Sequence, residues 1–440
     1  MEPATVSWGT KRVHQIHIKS PRPLGHALCL AVLWALTSTT DGLATQGDDA
    51  PPSVQLVVRR ALSTALRPDS VLFPPGGPRV IRLSTHSSEL TTLRLSIPVQ
   101  EELAEAGAAQ ILMLLGLERA RAAAAAIGAR VEGIRTPWGI AYTVTGPTAD
   151  FDHLAYVLRE AVAEPRFDRI EFERARSRVR GEAQRERETA SGRLAAELRA
   201  AAAPEALPSV GTPASLNMIS MVTLRYLWGR THRREEMSLV LVGPEPVELV
   251  LASLRDIGAG EETPIAVSTA RPPAEPDEGA EVLRNWYGTA WVAGDARDPH
   301  GEVVASLIAR HLREEEPAFE TSVQLWYVGS VRVLAVTGAA YGEAAPVMRR
   351  RVDRVLDEAA ESVGRDEVAP TLAALRFDFL SGASTPWGLA GLVGRYHDAT
   401  RDPYAAYQHV AALDEITPET IGRYIQELAR SGPVRAEVAP

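Results

Sequence analysis

The sequence predicts an α+β fold of two homologous halves, each a mainly antiparallel sheet covered by helices on one side. Three observations predict it. Short strands with period-two alternation arrive in pairs, and each pair is followed by a helical stretch. The same order of strands and helices recurs later in the chain, with Val144 and Val336 at the centres of two matching strands and an offset of 336 − 144 = 192. Between the two runs lies a stretch rich in Pro, Glu and Thr, residues 259–278, that reads as an exposed linker.

Taken in order, Arg79-Val-Ile-Arg-Leu-Ser and Leu93-Arg-Leu-Ser-Ile-Pro-Val99 alternate as strands and feed an Ala-rich helical stretch from Glu101 to about Ile127. Gly128 to Gly133 and Gly139 to Gly146 read as the next two strands. In the helix that follows, Phe151, Leu154, Ala155, Leu158 and Val162 share one face, the spacing of an amphipathic helix on a core. Met237-Ser-Leu-Val-Leu-Val-Gly-Pro244 is an uninterrupted apolar run ending in turn residues, hence a buried strand. In the second half, Ala280 to Leu283 and Thr289 to Ala293 mirror the first strand pair, and Val303 to Leu312 mirrors the Ala-rich helix. Leu334 to Gly338 then leads to a helix through Val347, Val352 and Val355, and Thr420-Ile-Gly-Arg-Tyr424 echoes Thr223-Leu-Arg-Tyr226.

The helix segment Gly107-Ala-Ala-Gln-Ile-Leu-Met-Leu114 carries the functional information. With its flanking strands it resembles the N-terminal domain of the M16 (insulinase, pitrilysin, mitochondrial processing peptidase) family, and the resemblance covers roughly residues 54–435. Active members read Gly-x-Ala-His-x-x-Glu-His here: two histidines one turn apart hold Zn²⁺, and the glutamate activates the bound water. In that frame, set by Gly107 and Ala109, Gln110 and Leu114 occupy the histidine positions and Met113 the position of the base. Glu182, in Val179-Arg-Gly-Glu182, aligns with the family's third ligand, a glutamate on a later helix. The resemblance therefore implies a member that has lost its metal site. One carboxylate cannot hold zinc alone, and its ordinary reading is a solvated helical glutamate.

No replacement site stands out. Of ten histidines, His311 in His311-Leu-Arg-Glu-Glu315 comes nearest to a zinc pattern, but Glu315 stands where the second histidine belongs. The chain lacks a Gly-x-Ser-x-Gly elbow, a Ser-x-x-Lys, a phosphate-binding glycine loop and a dinucleotide fingerprint. Its only cysteine is Cys29, so thiol chemistry, an internal disulfide and a CxxC metal site are excluded.

At 440 residues and 45% hydrophobic content the chain has material for two cores, and a net charge of −9 with interspersed signs argues against a nucleic-acid grip. Lys11 and Lys19 are the only lysines; with the high alanine content, this points to a GC-rich bacterial genome and makes an arginine weak evidence of function. Lys11, Arg12, Lys19 and Arg22 precede an apolar run from Ala27 to Leu36 and a small-residue exit at Gly42-Leu-Ala44. This reads as a secretory signal peptide over 1–44 followed by a polar spacer over 45–53, with an uncleaved anchor or a misassigned start as alternatives. The expected organisation is then an N-terminal domain over 54–258, the linker, and a C-terminal domain over 279–440. The expected location is periplasmic or envelope-facing, with no membrane span in the mature chain.

In substrate-holding subunits the resemblance further implies an Arg and a Tyr in a Leu-Arg-Glu-Lys-x-Gly-Leu-x-Tyr segment. This chain reads Leu312-Arg-Glu-Glu-Glu-Pro-Ala-Phe319. Arg313 matches as a candidate substrate contact, the glycine is lost, and Phe319 keeps an apolar wall without the phenol donor. The ordinary reading of Arg313 is an ion pair with Glu314 to Glu316 at a helix end. The expectation is a non-catalytic subunit without a cofactor of its own. Its expected partners are a zinc-bearing M16 subunit and the peptide in their shared chamber. A non-proteolytic scaffold of the cell envelope on the same fold is the alternative, and an active metallopeptidase with an unrecognised site is a third reading.

Overall fold

The computed structural model describes residues 52–85, 89–166, 168–208, 210–258, 284–315, 320–328, 331–340 and 345–438. The expected leader, the linker, the strand expected over Ala280 to Leu283, Glu316 and Phe319 lie outside the described residues. Residues Ala50–Pro440 form one compact unit. Among the described residues, no helix is long and apolar enough to cross a membrane.

The first half contributes α1 (Pro52–Leu66), β1 (Ser70–Leu72), β2 (Arg79–Leu83), β3 (Leu90–Pro98), α2 (Ala108–Ala124), β4 (Arg130–Thr136), β5 (Gly139–Pro147) and α3 (Phe151–Val162). It continues with α4 (Arg169–Glu188), α5 (Ala190–Ala202), α6 (Pro213–Met218), α7 (Met221–Thr231), β6 (Ser238–Val242) and α8 (Val247–Ser253). The second half contributes β7 (Asn285–Val292), α9 (His300–Glu315), β8 (Glu320–Val328), β9 (Val331–Ala340) and α10 (Ala345–Ser362). It ends with α11 (Arg365–Ala383), α12 (Pro386–Thr400), α13 (Ala405–Ala412), α14 (Pro418–Ser431) and β10 (Val434–Val438).

The strands form a six-stranded sheet, β1-β2-β6-β3-β5-β4, and a four-stranded sheet, β10-β7-β9-β8. Every described pairing is antiparallel except β2 with β6. Strand for strand, β6-β3-β5-β4 repeats as β10-β7-β9-β8, and the intervening helices repeat in the same order. The register repeats as well: Val131 faces Val144 and Val323 faces Val336, so both members of the pair are displaced equally (323 − 131 = 336 − 144 = 192). The sequence echo at Thr223 and Thr420 has a local cause. Each is the third residue of a helix whose N-cap hydroxyl, Ser220 or Thr417, accepts its backbone N–H in a reciprocal capping box.

Two sequence expectations change in detail. The helical stretch from Glu101 breaks at Gly107, which takes φ 94°; a short 3₁₀ turn over Leu103–Glu105 precedes α2. A side chain at 107 would also strike Leu216 Cδ2 and the Val210 carbonyl oxygen, each 2.7 Å from the position of its Cβ. The first sheet is covered on both faces, not one. Leu93, Leu95 and Ile97 of β3 face α2 and α3, whereas Arg94 and Ser96 point the other way and are buried under α12 of the second half.

The exchange of helices is reciprocal. While α12 lies across β3 and β6, its counterpart α5 lies across β7 and β10, the equivalent strands, where Leu194 and Leu198 join Ala290, Val333, Ala335 and Ala436. Helix α1 also crosses over. The sequence boundary at 54 assigns it to the first half, but Leu62 and Leu66 sit fully buried in the core of the second, beside α11 and α13. Burying each leucine stabilises that position by about 1.5–3 kcal/mol.

Candidate functional site

Helix α2 is anchored at its start and along its middle. At its start the Ala109 N–H donates to Glu101 Oε1 at 2.7 Å, while Glu101 Oε2 receives Arg135 Nη2 of β4 at 3.1 Å. The carboxylate thus faces the positive end of the helix. Burial nevertheless pushes the Glu101 carboxyl above its ordinary range, against the opposing pull of Arg135. Further along, Gly116 lets α2 approach α3 closely: a Cβ there would collide with the Ala161 carbonyl oxygen and lie 2.5 Å from Tyr142 Oη. Tyr142 donates from its hydroxyl to the Met113 carbonyl at 3.2 Å, and burial raises its pKa.

Within this frame, α2 turns Gln110 toward α4, where its Nε2 donates to Glu182 Oε2 at 3.3 Å. Arg178 Nε approaches the other Glu182 oxygen at 3.4 Å, one helical turn away. Gln110 Oε1 is buried with no hydrogen-bond partner among the described residues. Met113 and Leu114 are buried among the core residues. The Met113 thioether lies over Gly133 of β4, where a Cβ would come within 2.7 Å of Sδ. The structure therefore brings Gln110 and Glu182 together from two helices and leaves Met113 and Leu114 as packing residues.

This donor set does not fit zinc. Zinc needs at least three N, S or O donors converging at about 2.0–2.3 Å. Here Leu114 offers none, Met113 offers a thioether that cannot act as a proton acceptor, and Gln110 offers a neutral amide already engaged with Glu182. Among the described residues, no group of three or more His, Cys, Asp or Glu side chains is gathered to hold a metal.

The other candidates are dispersed. His311 turns toward α11, with Nε2 3.2 Å from Glu367 Oε1, and Arg310 approaches the same oxygen at 3.7 Å. Glu314 is exposed and Leu312 is in the core, so the His-x-x-Glu spacing does not converge on one point. Arg313 is exposed in the last turn of α9. Sequence reasoning missed Glu101 as the cap of α2 and Arg178 as the partner of Glu182. The Arg178-x-x-x-Glu182 spacing was the one available signal, and in a chain this rich in arginine it is weak.

No family model matches the sequence, and no curated protein does. Solved structures match over most of the chain. A protease from Helicobacter pylori superposes with a TM-score of 0.73 at 11% identity, covering 85% of this chain and 100% of its own. An inactive domain of peptidase M16 from Pseudomonas fluorescens gives 0.68 at 13% identity, covering 84% and 97%. The chain has an M16-type fold. A chain of complex III2 from Candida albicans gives 0.66 at 10% identity, covering 84% of this chain and 95% of that one. These likenesses, all under 25% identical, concern the fold: two sheets with their covering helices.

Proposed function

We propose that this chain is a non-catalytic M16-type subunit that acts beside a zinc-bearing M16 peptidase in the periplasm or cell envelope. Together the two would wall a chamber in which peptides are processed or degraded. The carrying observation is the Gln110–Glu182 contact: two residues that the resemblance aligns with metal ligands meet between α2 and α4, while Met113 and Leu114 pack as core. A protein that retained this frame only by inheritance would have no need of chemistry at 110, 113 and 114, whereas its partner would supply base and metal. Arg313 and Phe319 are the proposed peptide contacts on this side of the chamber.

The test is co-purification with an M16 peptidase of the same genome that carries an intact His-x-x-Glu-His. A stoichiometric complex that cleaves peptides faster than the zinc-bearing subunit alone is expected, with Arg313→Ala slowing cleavage without dissolving the complex. The likeness to a chain of complex III2 favours a second reading, a non-proteolytic assembly component of the envelope. A stable complex with no gain in cleavage supports that second reading; no association with any zinc-bearing homologue refutes the first.

A further inference from the structure

A cavity of about 570 Å³ opens at the seam between the halves, with no residue of α2 in its lining; Arg79, Arg230, Arg233 and Arg401 line it, and Ser238 is among its polar groups. The four guanidinium groups are not equivalent. Arg230 is spent, bound to Glu105 at 2.6 Å, Glu102 at 3.2 Å and the Gln100 carbonyl at 2.9 Å. Arg233 has an interaction of its own. Arg79 uses Nη1 on the Arg401 carbonyl at 2.7 Å, and its Nε is buried without a partner. Among the described residues, no carboxylate pairs with the guanidinium of either Arg79 or Arg401, although acidic residues outnumber basic ones, 56 to 47.

These two arginines come from different halves, one at the start of β2 and one in the left-handed residue that ends α12 (φ 58°). Behind Ser238, whose hydroxyl is 2.9 Å from His397 Nε2, burial holds the imidazole below its ordinary pKa; Asp398 and the Asp402 backbone oppose that shift, and Arg79 and Arg401 add smaller contributions to it. Glu235 and Glu236 also line the cavity; like Arg401 they are exposed, so solvent weakens their opposition to an anion without removing it. We propose that the cavity binds a small organic oxyanion, a carboxylate or a phosphate ester, with its charged end between Arg79 and Arg401. A guanidinium presents paired N–H donors that match either group, and the volume leaves room for an organic body beyond it. This site is independent of the proposed role of α2.

Calorimetric titration of the full chain with succinate and with inorganic phosphate, at constant ionic strength set by chloride, tests the proposal. Saturable one-site binding of at least one probe is expected, and which probe binds distinguishes carboxylate from phosphate. Arg401→Gln is the decisive variant, because among the described residues its guanidinium holds no other part of the fold; it should weaken binding about tenfold or more, and Glu235→Gln should tighten it. Absence of saturable binding by both probes, or affinity unchanged in Arg401→Gln, overturns the site.

Discussion

At Asp398 a carboxylate is taken out of water and given two donors from the opposite half: Arg94 Nη2 and Ser96 Oγ, each at 3.0 Å. The side chains of Arg94 and Asp398 are 3% and 5% exposed, so removing one partner strands the other in a medium that cannot solvate it. Asp398→Ala should cost about 3–5 kcal/mol in urea unfolding, and Arg94→Leu in the same chain should restore part of that loss. Recovery of none of it would mean the pair is not coupled. His232 makes the complementary case. Burial first, and the nearby Arg119 second, push its pKa down to about 3, so it stays neutral against Trp228 and Thr231. The unfolded chain takes up a proton near pH 6.5 that the folded chain refuses. Stability therefore falls as pH drops from about 6.5 toward 3, by an amount on the order of a few kcal/mol. Replacing His232 with Phe should flatten that part of the profile, and the His232 ring protons should show no titration above pH 5 by NMR. A titration midpoint near 6.5 would sink the assignment.

At the scale of elements, α2 combines what the sequence could and could not reveal. Its Ala-rich composition and the Gly107-x-Ala109 frame were readable, and so was the loss of ligands at 110, 113 and 114. That Glu182 meets Gln110 from α4 depends on tertiary packing, which a spacing of 182 − 110 = 72 residues cannot convey. Strand β3 misled for a physical reason: Leu-Arg-Leu-Ser-Ile alternates as a strand with one wet face should, yet its polar face is buried because α12 brings the carboxylate that satisfies it. In β6, by contrast, the unbroken Leu-Val-Leu-Val correctly signalled burial on both faces. Two substitutions test the α2 frame. Gly116→Ala forces a Cβ against Tyr142 and Ala161 and should cost about 1–3 kcal/mol, seen as a lower urea midpoint with unchanged slope. The triple change Gln110→His, Met113→Glu, Leu114→His should create zinc affinity with Glu182 in the purified chain. No gain in bound zinc over the parent chain would break the correspondence with the metal-binding helix.

Across the whole molecule, the reciprocal exchange of α5 and α12 makes the halves dependent on each other even though each repeats the other's topology. The two exchanges are not chemically alike. Under α12 the apolar packing of Leu389, Ala390 and Val393 surrounds an ion pair, Arg94 with Asp398, and Gly394 leaves space for the Arg94 side chain. Under α5 the contact is apolar, with Leu198 packed where Gly288 has no side chain. Each helix is thus keyed to one sheet, since α5 would leave Arg94 without a carboxylate and α12 would bury Asp398 against Ala290 and Ala335. If residues 52–258 were expressed alone, Arg94 would lose its partner, at about 3–5 kcal/mol, and Ile81, Leu83, Val240 and Val242 would lose their cover. Against a typical total of about 5–15 kcal/mol for a folded domain, that loss leaves little or nothing. Residues 284–440 alone would lose both α5 and α1, with Leu62 and Leu66. Each fragment should therefore unfold without a cooperative transition, while the two produced together should assemble one to one and melt as a single unit. A cooperative transition in either isolated fragment, at a midpoint near that of the intact chain, would show that the exchange is packing without consequence and that the halves are independent domains.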